Sequence, residues 1–534
     1  MEFSLFSASA VFPGALPHPV FIMTSLGPIF ADDLARVKPG DRLRLTISAQ
    51  TSDAAALAQA ALEARARGER VLVVCADPAD VPRLAQEMPW FEPKLDVRPL
   101  PDWETLPYDV LSPQEELVSE RLEALYRLTA PTGGADVLLT SAVTASQRLS
   151  PVSYIGANTF FFHQGEQISL TTLQKRLAAA GYANVKQVLA AGEFAVRGSI
   201  VDVFPMGSER PFRLDFFDDE IESIRWFDVD TQRSMESAEE IRLLPGHEFP
   251  VDPEALLAFR QRWRREFAGD PKKSIVYCDI EKEILPPGIE YYLPLFFDET
   301  AALTDYLPPN ARVFLLGDIE AALQAFGRDM ASRYKVLAAD PQRPALAPER
   351  IWLKPEEFFK SLANFARFTV EKKENAEDLK RLSGIEVDRK SQNPVGKLLE
   401  RTCESAMKGV RTLIAAPSAG RMETMSQLLR TGGLSVEEFP DWQTFLEADS
   451  SLSIAAAPLF SGAVFHHPEI VILSEAELYA ASPRRHRLRR VKHATTLEMM
   501  VRDVAELKPG DAVVHADHGI GRYQGLVHME LSLI

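Results

Sequence analysis

A loop that cradles nucleotide phosphates needs glycines, so that backbone amides can close on the anion, and a lysine to reach it, in the pattern GxxxxGK[ST]. The loop after the first strand-like run reads Ser48-Ala49-Gln50-Thr51-Ser52-Asp53, with no glycine, no lysine and an acid where phosphate would sit. Gly396-Lys397 is followed by Leu398 and preceded five positions earlier by Ser391, so it fails the same test. His515-Ala516-Asp517-His518 has the residue types of metal ligands. A catalytic zinc pair needs helical spacing or a further ligand cluster. Here Gly519 and Gly521 give a strand-and-turn context, and a polar turn is the simpler reading. His466-His467-Pro468 is a loop pair with no obvious acid or nucleophile and reads as structural. Ser418, in Pro417-Ser418-Ala419-Gly420, lacks the first glycine of a GxSxG elbow. No catalytic constellation emerges, which leaves a scaffold with binding surfaces.

The elements that position such surfaces follow from length and periodicity. At about 150 residues per domain, 534 residues predict three to four domains rather than one core. The formal charge of −17 argues against a surface that wraps nucleic acid throughout, though not against one basic patch. Cys75, Cys278 and Cys403 are far apart, so neither a disulfide framework nor a cysteine zinc site is expected, and a reducing cytoplasm fits. No run of about 18 apolar residues marks a membrane span. Met1–Ile22 is apolar, broken by prolines and free of Lys and Arg. It lacks the basic start of a signal peptide and reads as a tail or a start-site artefact, with Met23 as an alternative start.

From Asp41 the pattern is α/β. Leu43, Leu45 and Ile47 alternate as a strand, Asp53 caps an alanine-rich helix stopped by Gly68, and Val71–Cys75 and Val137–Thr140 read as buried strands. Strands separated by such helices predict a parallel sheet. After Pro151 the grammar changes. A helix capped by Ser169 and ended by Gly181 precedes short strands over Phe194–Phe204, Phe212–Phe217 and Ile221–Phe227, joined by tight turns. This predicts an antiparallel meander in a small α+β module. Residues 241–345 include a strand at Arg312–Leu316 and read as completing the first domain. Glu371–Gln392 is polar and reads as a linker or exposed helix. A second α/β unit has strands at Thr412–Ala415 and Glu469–Leu473, and Pro483–Lys492 is the one strong basic run. A new β-unit begins at Leu507 and has too few residues before Ile534 to close its edges, so the chain reads as a fragment of something longer.

Leu100-Pro101-Asp102-Trp103-Glu104-Thr105-Leu106-Pro107-Tyr108-Asp109, Ser119-Glu120-Arg121-Leu122, Thr140-Ser141-Ala142-Val143 and Gln147-Arg148-Leu149 resemble the first domain of the bacterial transcription-repair coupling factors, the Mfd family. Gly192–Pro205, containing Phe194-Ala195-Val196-Arg197-Gly198, and Arg213–Ile221 are similar to the module this family shares with the excision-repair protein UvrB. Lys508-Pro509-Gly510-Asp511 through His518-Gly519-Ile520-Gly521-Arg522-Tyr523 looks like the start of the family's CarD-like RNA-polymerase-interacting domain. The motif groups stand in family order from about Asp41 onward. UvrB-like chains carry a working phosphate loop and a tyrosine-rich hairpin, where this chain has Val97-Arg98-Pro99-Leu100-Pro101. The resemblance is therefore to the degenerate helicase-like domain of the coupling factors.

The resemblance implies a UvrA-contacting surface on the shared module, carried over to Arg197, Asp202, Phe204 and Arg213. Arginine offers a planar fork of donors and an exposed aromatic supplies anchor area. By alternation Arg197 faces away from Phe194 and Val196. The bland alternatives are core packing for Phe204, a turn hydrogen bond for Asp202, and internal salt bridges from both arginines to Asp215 or Glu222. Phe216-Phe217 reads as core. Arg484, Arg485, Arg487, Arg489, Arg490 and Lys492 are candidates for DNA-phosphate contact, against the alternative of a solvated linker.

The fold class is thus multidomain α/β and α+β: a degenerate helicase-like (UvrB-like) parallel-sheet domain interrupted by a small α+β module, a second small α/β domain, and the start of a CarD-like β-domain. The segments are a tail at 1–22, the helicase-like domain at 23–150 and 241–345, the inserted module at 151–240, a linker at 346–392, the small α/β domain at 393–482, a basic linker at 483–505 and the CarD-like start at 506–534. The implied function is recruitment of UvrA to RNA polymerase stalled at lesions, with UvrA and the polymerase β subunit as partners. No cofactor and no metal are expected in this chain. ATP, Mg²⁺ and double-stranded DNA would belong to a motor elsewhere in an ATP-driven translocase. The rival reading is a UvrB-type ATP-dependent damage-verifying subunit. The expected location is cytoplasmic.

Overall fold

The computed structural model describes residue 30 and residues 33–130, 134–388, 391, 393–479, 512–515 and 519–522. Two compact units divide the chain, Met1–Tyr479 and Ala480–Ile534. In the first unit, β1 (Arg42–Ser48), β2 (Val71–Cys75), β3 (Val97–Pro99) and β4 (Val137–Ser141) alternate with helices Asp53–Ala66, Asp80–Phe91 and Glu115–Thr129. A second set of strands follows: β5 (Phe160–His163), β6 (Ala183–Asn184), β7 (Glu193–Arg197), β8 (Ile200–Val203), β9 (Phe212–Phe217), β10 (Glu220–Phe227), β11 (Ser234–Ala238) and β12 (Glu240–Leu243). β13 (Arg312–Leu316) and β14 (Ala366–Lys373) come next, then β15 (Arg411–Ala416), β16 (Glu437–Phe439), β17 (Leu452–Ala456), β18 (Ala463–His466) and β19 (Glu469–Ser474).

The first sheet is parallel throughout, in the order β1-β14-β13-β2-β4-β3. β2, β4 and β13 are buried along their whole length, so they read as apolar runs instead of alternating ones. The expected linker over 346–392 is corrected here, because β14 lies inside it and pairs with both β1 and β13. Phe368 on β14 is fully buried and stacks on Phe314 at 4.7 Å. One such phenylalanine contributes roughly 1.5–3 kcal/mol, and a spacer between domains has no reason to bury it. The polar end of the strand, Glu371-Lys372-Lys373, masks it in the sequence. Among the described residues of the following polar stretch, the one helix is Ala376–Arg381.

The inserted sheet runs β11-β10-β9-β8-β7-β6, antiparallel from β7 to β11 as the turns predict. Beside it β5 pairs with β12, so the pairing reaches Leu243, past the expected boundary at 240. One face of this sheet, with Phe194, Val201, Leu214 and Phe216, is buried with Leu173 and Leu177 of the Ser169-capped helix. The third sheet, β16-β17-β15-β19-β18, is parallel except for its edge strand β18. Trp442, on the helix Trp442–Glu447 between β16 and β17, packs on Phe91 at 5.3 Å and shares one apolar core with the first sheet. In the second unit, the described residues form one antiparallel pair, β20 (Ala512–His515) with β21 (Gly519–Arg522).

Candidate functional site

Among the motif residues between Leu100 and Leu149, Trp103, Arg121 and Gln147 turn inward. Arg121 is fully buried; its Nε donates to Glu248 Oε1 at 2.6 Å and its Nη2 to Gln147 Oε1 at 2.9 Å. Trp103 Nε1 donates to the same Glu248 oxygen at 3.1 Å. A buried ion pair stays only when its remaining valences are met, as they are here. Three of the most recognisable residues of the sequence therefore hold the fold together.

The loop after β1 is likewise closed. Ser52, and not Asp53, is the helix N-cap: its Oγ accepts the Ala55 N–H at 3.1 Å. Asp53 is buried and takes both arms of Arg83, at 2.9 and 2.8 Å, and Lys372 Nζ at 2.7 Å. Burial alone would push this carboxyl up, but Arg83 and Lys372 outweigh it and hold it below its ordinary range. The Ala54 N–H is also satisfied by Asp53, at 2.9 Å. The Asp53 carboxylate thus takes up the Ala54 amide and the two cations that face it.

The remaining candidates for chemistry have structural partners. Ser418 Oγ caps the helix Ala419–Thr431. His466 does have an acid, contrary to the sequence reading: Asp378 Oδ1, from the distant polar stretch, lies 3.1 Å from its Nε2. Lys397 lies 3.8 Å from Glu386. Among the described residues no group of three His, Cys, Asp or Glu side chains is placed to hold a metal. No helix of the described residues is long and apolar enough to cross a membrane. Asp517, His518 and the basic residues Arg484, Arg485, Arg487, Arg489, Arg490 and Lys492 lie outside the described residues.

The inserted sheet brings the carried-over residues together. Strand alternation puts Ala195 and Arg197 of β7, Asp202 of β8, and Arg213, Asp215 and Phe217 of β9 on the face opposite the core. Asp202 is fully buried, and Arg213 grips it with Nε at 2.7 Å and Nη2 at 3.0 Å. The Arg197 guanidinium pairs with the same carboxylate from the other side while staying 50% exposed. Arg213 also donates to Gln232 O at 3.2 Å and Ser234 Oγ at 3.1 Å, and lies over the Phe227 ring at 5.0 Å. Its hydrogen bonds to Asp202 hold it above its ordinary pKa, against the opposing effect of burial.

The internal partner of both arginines is therefore Asp202, not Asp215 or Glu222. With no exposed surface, Asp202 acts as the post that aims two guanidiniums. Phe204 is partly buried and packs with Val188, Ala195 and Phe227 in a small second core under one end of this face. Two residues were missed. Phe217 is 68% exposed, which corrects its reading as core; its position two residues beyond Asp215 on β9 already pointed outward. Arg225, 4.0 Å from Asp215, joins the same face. Its direction was hidden because a bulge between Ile221 and Ser223 shifts the alternation of β10.

Three family models match this chain in order: the UvrB interaction domain over residues 160–249, the MFD D3 domain over 406–478, and the CarD-like/TRCF RID domain over 507–533. The arginine face lies in the first of these. The transcription-repair-coupling factor of Haemophilus influenzae is 37% identical over 446 residues, covering 82% of this chain and 38% of that protein. That of Escherichia coli is 36% identical over 470 residues, covering 86% of this chain and 40% of that protein. That of Bacillus subtilis is 25% identical over 460 residues. The chain spans about two fifths of the length of the first two relatives.

Proposed function

The stretch of chain that these matches cover belongs to the transcription-repair-coupling factor family, and on that premise we propose that the outer face of β7–β10 binds UvrA. The supporting observation is the pairing of Arg197 and Arg213 on one buried carboxylate, with the exposed Phe217 on the same face. Two pre-aimed forks beside an aromatic anchor fit a partner surface that offers carboxylates around an apolar pocket. Arg197, Arg213 and Phe217 make the contact in this reading, Asp202 positions the arginines, and Phe204 supports the sheet end.

In the whole protein this face recruits excision repair to RNA polymerase. The polymerase β subunit engages the CarD-like segment, and a motor that uses ATP, Mg²⁺ and duplex DNA displaces the enzyme. The UvrB-type alternative is less well supported, because the loop after β1 lacks the glycines and lysine of a phosphate loop and its Asp53 holds Arg83 and Lys372. Pulldown of UvrA by the chain and by its Arg197→Glu and Arg213→Glu variants tests the proposal. Capture by the unaltered chain and loss with either variant is the expected result. No capture by the unaltered chain, or equal capture by both variants, refutes it. Saturable ATP binding that is lost on altering the Ser48–Asp53 loop would restore the alternative.

A further inference from the structure

On the helicase-like domain, away from the arginine face, a cavity of about 70 Å³ opens beneath the loop that follows Trp103. That is room for roughly five water molecules, enough for the head of one side chain. Its walls include Tyr108, Tyr291 and Tyr292, and its charged groups are Asp109, Asp340 and Arg343. Arg343 already gives Nη1 to Pro287 O at 2.9 Å. Burial, and with it the nearby Asp102, Asp109 and Glu290, pushes the Tyr291 hydroxyl well above its ordinary range. The lining thus carries two carboxylates against one guanidinium, and each carboxylate already accepts one backbone N–H, Asp109 from Val110 at 2.7 Å and Asp340 from Gln342 at 2.8 Å.

Three features show a pocket held open by its surroundings. Tyr108 Oη is buried and has no hydrogen-bond partner. Tyr108 has a φ of 64° and Glu104 one of 54°, a left-handed backbone that bulky side chains avoid and that concentrates at ligand clamps. Gly288, at φ 78°, lets the Asp109 carbonyl come so close that a Cβ there would lie 2.5 Å from its oxygen. Val110, which lines the cavity, and its chain neighbour Leu111 are exposed.

Aromatic faces attract cations, and guanidinium does so while stacking flat and presenting a fork to carboxylates. Acids in the wall repel phosphate, which excludes a nucleic-acid backbone. We propose that this pocket receives an arginine side chain of a partner polypeptide, with the guanidinium on the tyrosine rings facing Asp109 and Asp340, and with Val110 and Leu111 covering the apolar residues beside it.

The test is a fluorescence titration of the full 534-residue chain with the peptide acetyl-Ala-Leu-Arg-Leu-Ala-amide and with the same peptide carrying citrulline. Citrulline keeps the shape and loses the charge. The expected result is saturable binding of the arginine peptide, at least tenfold weaker with citrulline and at least tenfold weaker for the double variant Asp109→Asn/Asp340→Asn. The far-ultraviolet dichroism of that variant should match the unaltered chain. Tyr108→Phe, which removes only the unpaired hydroxyl, serves as a second and milder variant and should weaken binding severalfold. No saturable binding of the arginine peptide, or equal binding of the citrulline peptide, overturns the proposal.

Discussion

Asp202→Asn keeps the volume of the side chain and removes the one charge that two guanidiniums share. Arg213 loses a bidentate partner at 2.7 and 3.0 Å. Stranding a buried charge costs about 3–5 kcal/mol. Arg213 keeps its bonds to Gln232 O and Ser234 Oγ and its place over Phe227, so the low end, about 3 kcal/mol, is expected. Arg197 is half exposed and contributes under about 1 kcal/mol of stability, because water screens it. Arg197→Ala should therefore leave the sheet nearly as stable and still weaken UvrA binding roughly thirtyfold, as loss of about 2 kcal/mol of anchor energy requires. A chain of several domains does not unfold as one, so the readout for stability is local. Hydrogen exchange of the β7–β10 amides should speed up roughly a hundredfold in Asp202→Asn and little in Arg197→Ala. UvrA affinity should fall in both. Unchanged exchange in Asp202→Asn would show that the carboxylate is not the post it is taken to be. Unchanged affinity in Arg197→Ala would remove the arginine from the contact.

Phe217→Ala should change stability by under about 0.5 kcal/mol, since the ring is already in solvent, yet reduce UvrA binding at least tenfold; a variant that binds normally removes the aromatic anchor. Asp53→Asn removes one of the three carboxylates around Arg83, which keeps Asp80 and Glu87, and the partner of the partly exposed Lys372; it should cost about 1.5 kcal/mol, seen as faster exchange across Asp53–Ala66, and unaltered protection there would refute the closed-loop reading. Burial raises the Glu290 carboxyl to about 7, so the folded chain holds a proton that the unfolded chain has released. Its stability is full below about 4.5 and declines as pH rises to about 7, by about 3 kcal/mol at 1.36 kcal/mol per unit. Amide protection across Ile289–Leu295 in Glu290→Gln should lack that decline, and an identical pH profile would count against it. Burial holds the His247 imidazole down at about 4, so its stability is present above about 6.5 and lost as pH falls toward 4. His247→Phe should flatten the acid limb, and persistence of that limb would assign it elsewhere.

Much of the architecture was legible because it depends on local pattern. Apolar runs broken by capped helices announced the parallel sheet, and turn residues spaced between short strands announced the meander. Strand alternation alone placed Arg197 on the outer face of β7. The failures have equally local causes. β14 was missed because half of it is charged; its place between β1 and β13 is decided by the Phe368–Phe314 stack far along the chain. Phe217 was taken for core by residue type, although its alternation with Phe216 points it to solvent. Arg225 was unreadable because a bulge changes the facing of every residue after it.

Sequence by itself determined most of the strands and helices, their order and the absence of a GxxxxGK[ST] phosphate loop, since each rests on residues adjacent in the chain or at a fixed period. Only the tertiary structure decided which charges meet. Asp202 could have served either arginine, neither or a partner, and register places it under both. Asp53 looked like a helix cap and is instead a buried carboxylate held by Arg83 from the next helix and Lys372 from β14, some 320 residues away. The Tyr108 pocket likewise joins a loop near residue 108 to residues near 290 and 340. Electrostatic partners are chosen by distance in space, and sequence spacing carries no information about that distance once the chain has crossed a sheet.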